Sequence, residues 1–149
     1  MNKKIYPTGL KQQVVIVDVD GTVALRKDNR GPFDWHLVGT DFPNYPIINV
    51  VRALRNEGYN IVFVSGRKEQ CRAETIRWIH DYIFPYQIVN LYMREDEDNR
   101  PDFVVKKEIF DTYLKDFNIL LVIDDRDQVV KMWREELGLI CIQVAEGKF

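Results

Sequence analysis

Five short apolar runs alternate along this chain with segments of helical periodicity, and that alternation constrains the fold more than any other feature. The runs occupy residues 14–17, 61–64, 88–92, 120–123 and 140–144. They are rich in Val, Ile and Leu with no polar residue at every second place, as in strands covered on both faces. Between them, Ile47, Val50, Val51 and Leu54 recur at helical spacing, and Gly58 stands just past the last. Ile76, Ile79 and Ile83 mark a second helix closed by Phe84-Pro85, and Val105, Ile109 and Leu114 a third. Val129, Val130, Trp133 and Leu137 mark a fourth, stopped by Gly138. Strands and helices in strict alternation predict a three-layer, Rossmann-like α/β fold, a parallel sheet with helices on both faces.

Parallel strands all point one way, so their C-terminal ends share one edge, where such sheets bind ligands. Three of the runs end there in polar groups: Asp18 and Asp20, Ser65 and Arg67, Asp124 and Asp125. Asp18 and Asp20 lie two apart on a strand and so project from one face. Two unit charges ~4 Å apart repel by roughly 4 kcal/mol at an effective dielectric near 20. A core strand would not carry that cost for packing alone, so either one acid is protonated or a cation lies between them. Gly21 then lets the chain turn away.

The chain of 149 residues is expected to form a single domain over 1–149, with a short tail at 1–12 and a flap over the site at 21–46. Gly31-Pro32 and Pro43-Asn44-Tyr45-Pro46 are turn signals, and 21–46 reads as too polar and broken for a helix. A formal net charge of −2 gives no overall basic field for nucleic acid, although a local basic mouth would serve. Lys3 and Lys4 have no apolar stretch behind them, and no run approaches the ~20 residues of a membrane span. Cys71 and Cys141 are isolated and read as buried or incidental thiols of a reducing, cytoplasmic protein.

Four carboxylates gathered at one edge suit a hard divalent cation, with magnesium the natural tenant. Ser65, Arg67 and Lys106 add groups that stabilise phosphate oxygens. Together they describe covalent phosphoryl transfer through an aspartyl phosphate. Each element has a plainer reading: Asp124-Asp125 as a helix N-terminal pair, Ser65 or Asp102 as caps, Arg30 as a solvated loop charge. Arg94, Arg100 and Lys107 stand between a strand-binding rim and solvated charge. Phe33, Trp35 and Tyr45 could stack a base or pack the long loop down. Trp78 and Trp133 read as core.

Asp18-Val19-Asp20-Gly21-Thr22, Ser65-Gly66-Arg67, a lysine opening a helix, and Asp124-Asp125 stand in the order of the four haloacid dehalogenase superfamily motifs. Asn29-Arg30-Gly31-Pro32-Phe33-Asp34, the run from Asp102 through Lys106 to Phe110, and the run from Ile123 to Trp133 further resemble the 3′-phosphatase domains of bacteriophage polynucleotide kinase-phosphatases. The resemblance implies a haloacid dehalogenase-like fold without a large cap domain and a Mg2+-dependent polynucleotide 3′-phosphatase, with 2′,3′-cyclic phosphate a further candidate substrate. It makes Asp18 nucleophile and metal ligand, and Asp20 general acid–base and, by its backbone carbonyl, a metal ligand. Asp124 becomes a metal ligand, and Asp125 a support of the metal shell or its water. Ser65 and Lys106, rather than Lys107, hold the transferring phosphoryl oxygens. Thr22, Arg30, Arg67, Arg94 and Asp102 match positions around the phosphate. The implied partners are DNA or RNA 3′ ends, with a separate kinase or ligase a candidate and no membrane. No Gly-x-x-x-x-Gly-Lys-Ser/Thr is present, so ATP-driven 5′ phosphorylation is not expected. Phe103 departs from an expected acidic pair, and the stretch between Arg67 and Trp78 is short, so substrate preference is open. The competing readings are a small-molecule phosphatase or nucleotidase, and a non-catalytic module that binds phosphorylated ends.

Overall fold

The structure, a computed structural model, describes residues 11–27 and 30–148. The tail up to residue 10, with Lys3 and Lys4, and Asn29 and Phe149 lie outside the described residues. Five parallel strands form the main sheet: β1 (Val14–Val17), β4 (Asn60–Lys68), β5 (Asn90–Arg94), β6 (Ile119–Asp124) and β7 (Cys141–Gln143), in the order β5-β4-β1-β6-β7. Two further strands, β2 (Ala24–Leu25) and β3 (Phe42–Pro43), pair with each other in a small antiparallel ribbon.

β1 lies at the centre because it is the one strand with four consecutive apolar residues all at most 1% exposed. Its side chains divide between two layers. Val15 and Val17 pack with Ile48 and Val51 of α1 (Tyr45–Asn56) and with Trp78 and Ile79 of α2 (Arg72–Tyr82). Val14 and Ile16 pack on the opposite face with Val105 and Ile109 of α3 (Asp102–Ile109) and Val129 of α4 (Asp127–Lys131). Burial of each such side chain contributes roughly 1.5–3 kcal/mol. A slip of β1 by one residue would draw Asp18 into the apolar layer, which costs several kcal/mol, so the register is fixed.

The chain runs from β1 outward to β4 and β5, then crosses back to β6 on the other side of β1. That reversal opens a crevice at the C-terminal ends of β1 and β6. Val17 is registered with Ile123, and the Asp18 N–H donates to the Ile123 carbonyl at 2.9 Å, so the residues after each strand meet side by side.

Four features differ from the sequence-based expectation. The segment 21–46 carries a 3₁₀ helix (Trp35–Thr40) besides the β2–β3 ribbon, held where the Trp78 indole donates to the Asp41 carbonyl at 3.0 Å. Pro46, read as a turn signal, instead sits in the first turn of α1, where its missing N–H costs nothing. The third main strand is β5, two residues later than 88–92, so Arg94 ends a strand rather than opening a loop. Both helices after the site widen into π turns, Phe110–Leu114 after α3 and Met132–Glu136 after α4. The expected glycine stops hold: Gly58 and Gly138 have φ of 105° and 65°.

Candidate active site

Asp18 follows the last residue of β1 and is only 4% exposed. Its Oδ1 accepts from Lys106 Nζ at 2.7 Å, and its Oδ2 accepts from Thr22 Oγ1 at 2.7 Å. Thr22 reaches back because Gly21, with φ of 79°, reverses the chain. A side chain at Gly21 would overlap the Asp125 carboxylate, so the glycine serves both the turn and the close approach. Asp124 ends β6. Its Oδ1 accepts the Asp125 N–H at 2.8 Å, and its Oδ2 accepts from Lys106 Nζ at 3.0 Å and from the Trp133 indole N–H at 3.1 Å.

Oxygen atoms of Asp18, Asp124 and Asp125 all lie within 4.8 Å of one another. Burial pushes the Asp18 carboxyl well up, and the charges of Asp124 and Asp125 push it further against the pull of Lys106. Burial likewise raises Asp125, with Asp124 adding to it. Burial would lower Lys106, but Asp124, Asp18 and Asp102 outweigh it and hold the ammonium charged. One buried cation among three acids leaves negative charge uncompensated. Three carboxylates and no nitrogen or sulfur donor fit a hard divalent ion such as Mg2+.

Asp20 sits at the crevice mouth, its side chain 44% exposed. Arg67 Nε donates to both Asp20 oxygens at 3.1 Å, and Nη2 donates to one of them at 2.8 Å. Burial would raise Asp20, but Arg67 and then Arg30 outweigh it and keep the carboxyl below its ordinary value. Arg67 itself is fully buried. Its Nη2 also donates to Asp41 at 2.8 Å and its Nη1 to Thr75 at 3.0 Å. Arg30 Nε lies 3.2 Å from Asp41, and its Nη2 lies 3.6 Å from Asp20. Burial pushes Asp41 up to about 6 against both guanidinium groups.

Ser65 is fully buried in β4, and its hydroxyl oxygen accepts the Arg67 N–H at 3.1 Å. Arg94 donates to the carbonyls of Gly66, Asp98 and Arg100 and to Asp102, which draws the 95–101 loop against β4. Asp102 makes no cap at the start of α3. It joins Arg94 to Arg126, which donates to it at 2.8 Å.

A cavity of about 710 Å³ opens over these groups, a size suited to a nucleotide-sized ligand. Asp18, Asp20, Lys106, Asp124 and Asp125 line it together with Arg30, Arg94 and Asp102. Arg26, Phe33 and Trp35 come to it from the flap, Lys68 from the end of β4, and Arg100 and Arg126 from the segments before α3 and α4. Of the sequence-predicted residues, the metal and nucleophile group converges. Arg67 lies behind Asp20 and Arg94 is committed to the loop, so both guanidinium groups are already engaged by the protein. Sequence reasoning missed Asp41 and Thr75, which carry no motif. It also missed the polar contact of Trp133, which was legible in principle because a buried indole N–H needs an acceptor.

Comparison with known proteins gives concordant findings. A family model described as the polynucleotide kinase PNKP phosphatase domain matches residues 12–149. A protein of Autographa californica nuclear polyhedrosis virus, described as a bifunctional polynucleotide kinase/RNA ligase, is 37% identical over 133 residues. The match covers 87% of this chain and 19% of that protein. A chain in the solved Pnkp1/Rnl/Hen1 RNA repair complex is similar with a TM-score of 0.85 and 36% identity, over 93% of this chain and 44% of that one. A second structure of a Pnkp1/Rnl/Hen1 complex gives 0.82 and 37%, over 93% and 47%. The chain thus spans less than half the length of each of these relatives.

Proposed function

The chain belongs to the polynucleotide kinase PNKP phosphatase-domain family, and from that membership we propose that it removes 3′-phosphate from nucleic-acid ends through a phosphorylated Asp18. The observation that carries this reading is the buried cluster of Asp18, Asp124, Asp125 and Lys106 at the floor of an open cavity. The relatives named as a kinase/ligase and as members of an RNA repair complex favour RNA ends, with a ligase or kinase as working partner.

Asp18 attacks the phosphorus, and the bond from phosphorus to the 3′ oxygen breaks. Asp20, at the mouth, gives that oxygen its proton. A bound phosphate sets negative charge beside Asp20 and so raises its affinity for the proton, which Arg67 and Arg30 otherwise keep low. Asp20 then takes a proton from water as the water attacks phosphorus. The bond from phosphorus to Asp18 breaks, and inorganic phosphate leaves. Thr22 and Lys106 orient the two Asp18 oxygens. Magnesium held by Asp18, Asp124 and the Asp20 backbone carbonyl, with Asp125 in support, would neutralise the transferring phosphoryl oxygens. Lys106 adds a fixed positive charge to the same task.

The test is phosphate release from 3′-phosphorylated RNA and DNA oligonucleotides and from free 3′- and 5′-nucleotides, each with Mg2+ or with chelator. The expected result is Mg2+-dependent release from oligonucleotides in preference to free nucleotides. Equal or better turnover of free nucleotides would establish a small-molecule phosphatase. Tight end binding without turnover would establish a binding module.

A further inference from the structure

After Lys131 the helix carrying α4 widens into a π turn over Met132–Glu136, and Trp133 lies in that turn. Such turns occur mostly as single local insertions, often at functional sites. The matching π turn after α3 begins at Phe110, whose ring stands edge-on to Trp133 with centroids 6.1 Å apart and an interplanar angle of 78°. Trp133 is fully buried, and these contacts hold its ring. Its indole N–H donates to Asp124 Oδ2 at 3.1 Å, the oxygen that also receives Lys106 Nζ at 3.0 Å.

The two donors differ in kind. Lys106 is a charged group on a long stem, shared with Asp18, and it must respond when another cation or a phosphoryl group reaches the floor. The indole is neutral and a donor only. It neither repels an incoming cation nor leaves with one. A carboxylate held by such a donor keeps its orientation whatever Lys106 does.

We propose that Trp133 is a positioning residue for divalent-cation binding: its indole N–H fixes the Asp124 carboxylate and so raises the affinity of the Asp18–Asp124–Asp125 cluster for Mg2+. The inference rests on the magnesium reading of that cluster. Hydrogen-bond partners behind a metal ligand are commonly worth about 10–100-fold in metal affinity.

The test replaces Trp133 with benzothienylalanine, which keeps the ring shape and puts sulfur where the N–H was, alongside Trp133→Phe. Mg2+ affinity is read from the rise in unfolding midpoint with Mg2+ concentration, and phosphate release is measured across the same titration. In the benzothienylalanine protein the expected outcome is Mg2+ affinity lower by about 10–100-fold. Its metal-free midpoint should fall by roughly 3–12 °C, as the loss of one buried hydrogen bond to a charged group predicts, and its turnover at saturating Mg2+ should be retained within a few-fold. Unaltered Mg2+ affinity in that protein overturns the proposal, as does a loss confined to Trp133→Phe, since packing alone would then be the cause. Should Trp133→Phe not fold, the isosteric protein decides alone. A wild-type protein whose midpoint does not respond to Mg2+ overturns the magnesium reading itself, and that result is visible before any substitution is made.

Discussion

Lys106→Met replaces a buried ammonium with an apolar chain of similar length and exposes the electrostatics of the cluster. Nζ lies 2.7 Å from Asp18 and 3.0 Å from Asp124, with both partners almost fully buried. At an effective dielectric of about 20 each attraction is worth roughly 6 kcal/mol. Much of that offsets the cost of removing the charges from water, so the net loss on breaking such a buried pair is about 3–5 kcal/mol. For a chain of this size that corresponds to roughly 6–20 °C in unfolding midpoint, measured with chelator at pH 7. The same measurement at pH 5 gives the sharper result. The acids left without Lys106 relieve their repulsion by taking up a proton, which costs about 2.7 kcal/mol less two pH units lower. Lys106 is what pulls the proton affinity of Asp18 down in the wild type, so the folded variant binds that proton more tightly than the folded wild type and gains more stability as pH falls. The penalty should therefore be smaller at pH 5 than at pH 7, by up to about 2.7 kcal/mol. An equal penalty at both pH values would show that lost packing, not charge, is the cause, and would refute the electrostatic account.

Asp18→Asn should lower phosphate release roughly 10⁴-fold or more while leaving the metal-free midpoint at or above that of the wild type, because a buried like charge is removed. Substantial turnover in this variant removes the aspartyl-phosphate mechanism. Gly21→Ala places a side chain at φ of 79° against the Asp125 carboxylate. It should cost at least about 1–2 kcal/mol and reduce Mg2+-dependent turnover, and a wild-type midpoint would contradict that. Asp41, raised to about 6 from 3.8, holds a proton in the folded state across that interval. Its contribution to stability falls as pH rises through it, and Asp41→Asn should flatten that part of the midpoint-against-pH curve.

The strand-and-helix alternation was legible because buried runs such as Val14–Val17 and helical repeats such as Ile47 to Leu54 each carry a period of their own. The meeting of Asp18 with Asp124 was legible one step further on, since both close apolar runs that a parallel sheet must align. The roles of Arg67 and Arg94 were not. A guanidinium near a phosphate motif and a guanidinium locking a carboxylate or a loop have the same sequence signature, and only burial with named acceptors separates them. Asp41 stayed hidden because its importance comes from Arg30 and Arg67, brought to it by the fold rather than by sequence spacing. The short elements of 21–46 escaped because two-residue strands and a 3₁₀ turn have no hydrophobic period to read.

The central position of β1 also bears on how the protein is made. It is the first strand of the described chain, yet Val14 pairs with Asn60 on one side and Ile119 on the other. During synthesis this greasy segment leaves the ribosome long before either neighbour exists, and domination by such distant pairings slows folding. A nascent chain stalled before residue 119 would lack β6, leaving Asp18 without Asp124 and the strand with one open edge. The acidic floor of the cavity is thus completed late, and in the interval the bare edge is the segment most exposed to chaperone capture or aggregation.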